Sequence, residues 1–172
     1  CSSEQTVVAL ASQRLPILAE LKANQAYLCS EPEAAALART LFSHGVTVSS
    51  KCVGQSPQVI ARLAGFEVPP ETSILCAEIQ GYGREYPLSA EKLSPVLALL
   101  FVNDVPAALQ ACEGILRFGG LGHTAVIHAR DEARVREFGL RMPAFRILVN
   151  TGSPQGSTGI TTGVMPAMTL GC

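Results

Sequence analysis

Short apolar runs alternate with longer amphipathic runs along most of the chain. The short runs predict β-strands over 5–10, 26–29, 73–79, 95–102, 124–129 and 145–151. The amphipathic runs predict helices over 12–24, 30–45, 56–65, 104–120 and 131–142. Because the strands are nearly continuous Val, Ile and Leu and helices separate them, the pattern indicates an α/β fold. We expect a three-layer domain in which helices cover a mostly parallel sheet.

Helix-capping residues support these boundaries. Ser30 and Glu33 have the spacing of a capping box, and Gly45 is a suitable terminator for the same helix. The segment 152–172 is rich in Gly, Ser, Thr and Pro, which predicts a loop, and long loops in α/β folds often form sites. We find neither an internal repeat nor a linker, so a single domain over 1–172 is expected.

Composition narrows the possible partners. Hydrophobic residues make up 48% of the 172 residues, charged residues make up 16%, and the mean hydropathy is +0.29. The longest apolar run, 95–102, is far shorter than the ~20 residues of a membrane-spanning helix. We therefore expect the surplus apolar surface to face another domain or subunit. The formal net charge of −1 and the scattered Lys and Arg argue against a nucleic-acid partner.

The cysteines give no sign of a metal site. They stand at positions 1, 29, 52, 76, 112 and 172. No two of them have the close spacing of a zinc site, and no C-x-x-C motif occurs, so no metal is predicted. Cys29, Cys76 and Cys112 lie in apolar segments, where a free thiol behaves as a small hydrophobe. This pattern indicates a reducing compartment such as the cytoplasm.

Cys1 leaves several interpretations open. It is the lipidated end of a lipoprotein, an N-terminal nucleophile freed by autoproteolysis, or an interior residue of a longer polypeptide. A lipoprotein would continue with a flexible polar tether, whereas "EQTVVAL" runs directly into an apolar strand. N-terminal nucleophile hydrolases are built from antiparallel sheets, which the pattern does not indicate. A domain that only binds or assembles is a further, non-enzymatic alternative.

Several phrases together resemble the CoA-acylating aldehyde dehydrogenases: "CSSEQTVV", "IARLAGFEVPPETSILCAE", "EKLSPVLALL", "FGGLGHTAVIHA", "RILVNTGSPQGSTGITTG" and "PAMTLGC". These enzymes oxidise an aldehyde with a nicotinamide cofactor and pass the acyl group to coenzyme A. The phrases follow the family's order over essentially the whole chain, and "EKLSPV" differs from the E-x-F-G-P-V pattern of the hydrolytic branch. The resemblance implies that 1–172 is the catalytic domain of a longer polypeptide. A dinucleotide-binding half would precede Cys1, and an oligomerisation segment would follow Cys172.

The resemblance also assigns roles to individual residues. It implies that Cys1 is the nucleophile and that His123, in "GGLGHT", tunes the thiolate or acts as general base for attack by CoA. It implies that Glu91 holds the nicotinamide ribose hydroxyls, with Leu93 and Pro95 on the nicotinamide side. Taken from the residues alone, Glu91 is equally a solvated surface carboxylate and His123 a structural histidine.

The tail completes the predicted site. By resemblance, Asn150, Thr151, Gly152 and Ser153 line the acyl pocket, and the alternative is a loop that needs an absent domain to order it.

The predicted function is oxidation of a short-chain aldehyde, such as acetaldehyde or propionaldehyde, to its acyl-CoA with NAD or NADP and without metal. We expect a homo-oligomer in the cytoplasm or inside a bacterial microcompartment, with no membrane partner. The alternatives are a fragment that only binds or assembles, and a non-acylating enzyme that releases free acid.

Overall fold

The computed structural model describes residues 3–42, 45–119 and 121–165. The strands are Thr6–Leu10 (β1), Ala26–Leu28 (β2), Ile74–Ile79 (β3), Val96–Val102 (β4), Gly122–Ile127 (β5) and Ala144–Val149 (β6). The α-helices are Arg14–Ala23 (α1), Glu31–Leu41 (α2), Pro57–Leu63 (α3), Val105–Gly119 (α4), Glu132–Arg141 (α5) and Ser153–Ser157 (α6). Short 3-10 helices cover Ala11–Gln13 and Pro87–Ser89. Each predicted strand and helix is present with ends displaced by a few residues, which confirms the α/β fold.

The chain divides into two compact units, with the boundary within α4. Gln5–Ala108 forms a four-stranded unit, and residues 3–4 with 109–165 form a two-stranded unit. The four-stranded sheet has the order β1-β4-β3-β2, and the two-stranded sheet pairs β5 with β6. Every one of these described pairings is parallel, as the apolar strands predicted. None of the helices in the described ranges is long and apolar enough to cross a membrane.

Both faces of the central strands β3 and β4 of the four-stranded sheet are buried. Leu75, Cys76 and Ala77 are consecutive on β3, and each is at most 1% exposed. Residues 96–100 of β4 are likewise all buried. Successive side chains of a strand point to opposite faces, so a run of buried positions requires cover on both sides.

Helices on opposite faces supply that cover. Cys76, Leu97 and Leu99 pack against Leu18 and Leu21 of α1. The connection from β1 to β2 crosses the sheet in one direction, and the connection from β2 to β3 returns in the other. Because parallel crossovers are right-handed, α1 and α2 must then lie on opposite faces. The four-stranded unit is therefore a three-layer structure.

The predicted capping box is present at the start of α2. The Glu33 carboxylate accepts hydrogen bonds from the backbone N–H and the hydroxyl of Ser30, both at 2.7 Å. The helix ends at Leu41, earlier than the predicted boundary at Gly45, because Phe42 leaves helical geometry while its N–H still reaches the Ala38 carbonyl.

The tail contains a correction to the sequence prediction. Residues 153–157, predicted as loop, form the short helix α6. Pro154 supplies a helical φ in its first turn, and α6 packs on β5 and β6. Tertiary packing therefore orders a segment whose composition is typical of a loop.

A lysine lies in the interior of the four-stranded unit. The Lys92 side chain is 0% exposed, and its Nζ donates to the carbonyls of Leu88 at 2.7 Å and Ala90 at 2.8 Å. Burial lowers the pKa of Lys92 to about 7, and only the negative charge of Glu91 opposes that shift. Lys92 forms no ion pair with any residue of the described ranges. Its charged form is thus costly in the folded chain.

Substitution of this lysine should change how stability depends on pH. Folded Lys92 releases its proton near pH 7, whereas the unfolded chain keeps it up to the ordinary pKa of 10.5. The unfolded state therefore binds more protons between these values, and stability rises with pH. Between pH 7 and 9, we expect the free energy of unfolding of the wild type to rise by about 1 kcal/mol per pH unit relative to that of Lys92→Met. Below pH 6, the difference between the two free energies should stay constant.

Denaturant titrations of the two chains at each pH measure this difference. The control Lys22→Met makes the same chemical change at an exposed position of α1 and gives the pH dependence of a lysine deletion away from the interior. A constant difference between wild type and Lys92→Met from pH 7 to pH 9 would contradict a buried, deprotonating lysine.

Candidate active site

Four cysteines of the described ranges are free thiols held neutral by burial. Burial raises the pKa of Cys29 to about 12 and that of Cys76 and Cys112 to about 11, and it also raises the pKa of Cys52. A thiol attacks carbonyl carbon as its thiolate, which is scarce at neutral pH when the pKa is this high. None of these four is suited to be a nucleophile. The predicted nucleophile, Cys1, lies outside the described residues.

The segment that follows Cys1 is bonded to the predicted acyl pocket. Glu4 Oε1 accepts a hydrogen bond from the backbone N–H of Ser153 at 2.6 Å, and Ser153 is buried. Ser153 is the first residue of α6, where an anionic acceptor satisfies an N–H that the helix leaves free. A Cβ at Gly152 would lie 2.6 Å from Gln155 Oε1, so this position tolerates only a side chain as small as glycine's unless Gln155 moves. Glu4 therefore fixes the start of α6 from within the two-stranded unit.

Asn150 and Thr151 lie where β6 ends. The Asn150 side chain accepts from the Ala129 N–H and donates to the Ala129 carbonyl, both at 3.0 Å, and its φ of 53° is left-handed. This amide is therefore occupied in joining the carboxyl ends of β5 and β6. The Thr151 hydroxyl hydrogen-bonds to that of Thr161. Beside them, a cavity of about 490 Å³ is lined by residues of 129–136 together with Val149 and Asn150.

His123 is the second residue of β5. Its Nδ1 lies 3.0 Å from the Thr124 hydroxyl, which also accepts from Arg146 at 3.3 Å. Its Nε2 is buried and has no hydrogen-bond partner among the described residues. Buried polar atoms are rarely left unpaired, so a free imidazole nitrogen calls for a ligand or for a partner beyond these residues. Within the described ranges, no backbone carbonyl of the kind expected for a purely structural histidine is bonded to Nε2.

Glu91 precedes β4 in the four-stranded unit. Its half-buried carboxylate accepts no hydrogen bond and forms no ion pair with a residue of the described ranges. The peptide groups on both sides of Glu91 are held, since the Ala90 carbonyl accepts from Lys92 Nζ and the Lys92 N–H donates to Gln5 Oε1 at 2.8 Å. A carboxylate with free oxygens on a held backbone fits a diol ligand such as a ribose.

Leu93 and Pro95 follow in the same loop. Leu93 has a left-handed φ of 47°, and its carbonyl accepts from the Gly54 N–H at 2.9 Å. The Pro95 carbonyl accepts from the Leu75 N–H, also at 2.9 Å, which joins the loop to β3. Backbone bonds therefore hold both predicted residues in place.

The structure groups the predicted residues into two sets. His123 and 150–153 belong to the two-stranded unit together with Glu4, whereas Glu91, Leu93 and Pro95 belong to the four-stranded unit. Glu4, Gln5 and Lys92 have no signal in the sequence beyond their place inside the "CSSEQ" and "EKLSPV" phrases. In the described ranges, no group of three or more His, Cys, Asp or Glu could hold a metal ion.

Over its whole length, the chain is similar to parts of several known dehydrogenases. No protein-family model matches it. Over all of this chain it is 37% identical to aldehyde-alcohol dehydrogenase 2 of Entamoeba histolytica, of which it covers 21%. It is 34% identical to the acetylating succinate-semialdehyde dehydrogenase of Clostridium kluyveri, of which it covers 38%.

A solved structure agrees with these sequence matches. The acetylating aldehyde dehydrogenase of Geobacillus thermoglucosidasius superposes on the whole chain with a TM-score of 0.93 at 41% identity, and the chain covers 38% of it. The chain thus spans about a fifth to two fifths of the length of the relatives it matches. Its full length aligns with a part of each of them in sequence and in fold, and the chain is similar to that part of the acetylating aldehyde dehydrogenases.

Proposed function

We propose that this chain is the nucleophile-bearing domain of an enzyme that oxidises a short-chain aldehyde to its acyl-CoA. The observation that carries the proposal is the match of the entire chain to enzymes described as acetylating, at 34% and 41% identity. A domain that only binds or assembles is not favoured, because the matched relatives are enzymes. The dinucleotide-binding part and the oligomerisation segment are proposed to lie elsewhere in a longer polypeptide.

Cys1 is the proposed nucleophile. Its thiolate adds to the aldehyde carbon to give a thiohemiacetal, and loss of hydride from that carbon leaves a thioester on Cys1. The thiol of CoA then attacks the thioester, the acyl–Cys1 bond breaks, and Cys1 leaves as thiolate. The backbone N–H of Cys1 would stabilise the tetrahedral oxyanion, a contribution of roughly 3–4 kcal/mol per donor. The raised pKa of the four described thiols supports the choice of Cys1 over them.

Glu91 is the proposed acceptor for the cofactor ribose. A nicotinamide cofactor, NAD or NADP, supplies a hydride acceptor when it is bound. The two carboxylate oxygens of Glu91 have no described protein partner and can accept both hydroxyls of a diol. Leu93 and Pro95, held by backbone bonds, would form the surface beside it.

His123 is the proposed general base for the transfer to CoA. Its unpaired Nε2 can take the proton of the CoA thiol, while Nδ1 is oriented by Thr124.

The acyl pocket is proposed to involve 150–153, with the Asn150 amide shaping the backbone rather than touching substrate. A homo-oligomer in the cytoplasm or in a bacterial microcompartment remains part of the proposal.

Replacement of the nucleophile tests the activity directly. We expect the full-length protein to form acetyl-CoA from acetaldehyde, NAD and CoA, and Cys1→Ala to lower that rate by about 10⁴-fold or more, because no thioester can form. Chromatography of the CoA products measures the rate. The control Cys112→Ala removes a thiol whose pKa burial raises, and it should retain activity. Release of free acetate without any requirement for CoA would contradict the acylating function.

Replacement of His123 tests the second half of the reaction. His123→Ala should slow acyl transfer to CoA by about 10²-fold and leave hydride transfer less affected, so that acylated enzyme accumulates. Intact mass of the quenched enzyme measures the acylated fraction, and His128→Ala, at an exposed position, is the matched control. Equal loss of NADH formation and acyl transfer, with no accumulated thioester, would refute the assignment of His123 as the base.

A further inference from the structure

The Lys92 side chain is bonded to the backbone that precedes Glu91 and does not reach solvent. Its side chain is 0% exposed, and its Nζ binds the carbonyls of Leu88 and Ala90. The Ala90 carbonyl belongs to the peptide group that precedes Glu91. One of the two peptide groups that set the direction of the Glu91 side chain is therefore held by the side chain of the next residue.

Gln5 holds the other peptide group. Its Oε1 accepts the Lys92 N–H at 2.8 Å, and this N–H belongs to the peptide group that follows Glu91. The Gln5 backbone is itself fixed, because its carbonyl accepts from the Ala98 N–H on β4. With both flanking peptide groups bonded, the Cα–Cβ bond of Glu91 has one direction. Lys92 and Gln5, which form this hydrogen bond, are 87 residues apart in the chain.

Burying the Lys92 side chain where it donates to two carbonyls costs free energy, because a charged amino group is removed from water. Lys92 has no carboxylate within ion-pair distance in the described ranges, and an apolar side chain of similar length would avoid the cost of burying a charge. Its hydrogen bonds are the feature that methionine would lack. They act on the 3-10 turn Pro87–Ser89 and on Ala90, the segment that leads into Glu91.

We propose that Lys92 and Gln5 are positioning residues that together aim the Glu91 carboxylate at the ribose of the nicotinamide cofactor. The inference rests on the proposed function of Glu91 and extends it to two residues that do not touch the cofactor. Gln5 stands four positions after Cys1 and directly before β1, so a residue close to the nucleophile in the sequence also sets the direction of the cofactor carboxylate.

The test separates cofactor binding from acyl chemistry in the full-length protein. NADH, or NADPH if the unsubstituted protein prefers it, is titrated by its fluorescence without aldehyde. Acylation of Cys1 by propionyl-CoA is measured separately by intact mass without cofactor. We expect Lys92→Met and Gln5→Leu each to weaken binding of the reduced cofactor by about tenfold, because each leaves a peptide group beside Glu91 unbonded. Acylation of Cys1 should stay within about twofold of wild type, and Lys22→Met should bind cofactor normally.

Amide exchange gives a readout that does not depend on activity. Gln5→Leu should speed hydrogen–deuterium exchange at the Lys92 amide, because its acceptor is gone. Unchanged cofactor binding in both variants would overturn the proposal, and so would an equal fall in cofactor binding and Cys1 acylation, which indicates general structural damage. If the unsubstituted protein neither binds reduced cofactor nor accepts an acyl group, the proposed function fails first and takes this inference with it.

Discussion

Burial of the central strands β3 and β4 on both faces is the constraint on which most other features depend. Consecutive residues of β3 and β4 are excluded from water, so these strands contain almost only apolar side chains. Thiols that fall in or beside such a sheet become neutral, as the raised pKa values of Cys29 and Cys76 indicate. The polar groups of the candidate site are correspondingly found at strand ends and in the connecting loops.

Local patterns were sufficient to predict the strands and the longer helices. The strands and helices follow from apolar runs and capping residues, and the Ser30–Glu33 capping box was predicted from spacing alone. The helix α6 could not be predicted, because it packs on β5 and β6 and its first N–H donates to Glu4, 149 positions earlier in the chain. The start of β5 at Gly122 similarly depends on a bond from its N–H to the Pro143 carbonyl. Contacts at such sequence separation leave no periodic signal.

The residues of the candidate site likewise include some that the sequence predicts and some that only the fold reveals. Motif resemblance led to Glu91 and His123, and the structure leaves the Glu91 carboxylate and the His123 Nε2 without described partners. It gives Asn150 a different task, since its amide is bonded to Ala129. The burial of Lys92 could not be foreseen, because a lysine beside a glutamate in a polar segment is ordinarily solvated. Only the fold shows that its ammonium group faces backbone carbonyls.

The central claim is the proposal that Cys1 is the reactive thiol, since burial raises the pKa of the four cysteines in the described ranges. The most direct measurement is to incubate the full-length protein with propionyl-CoA, without cofactor, and to locate the acyl group by mass spectrometry of its peptides. We predict a thioester on the peptide that contains Cys1 and unmodified peptides for Cys29, Cys52, Cys76, Cys112 and Cys172. An acyl group on any of those five, or none on Cys1, would contradict the proposal.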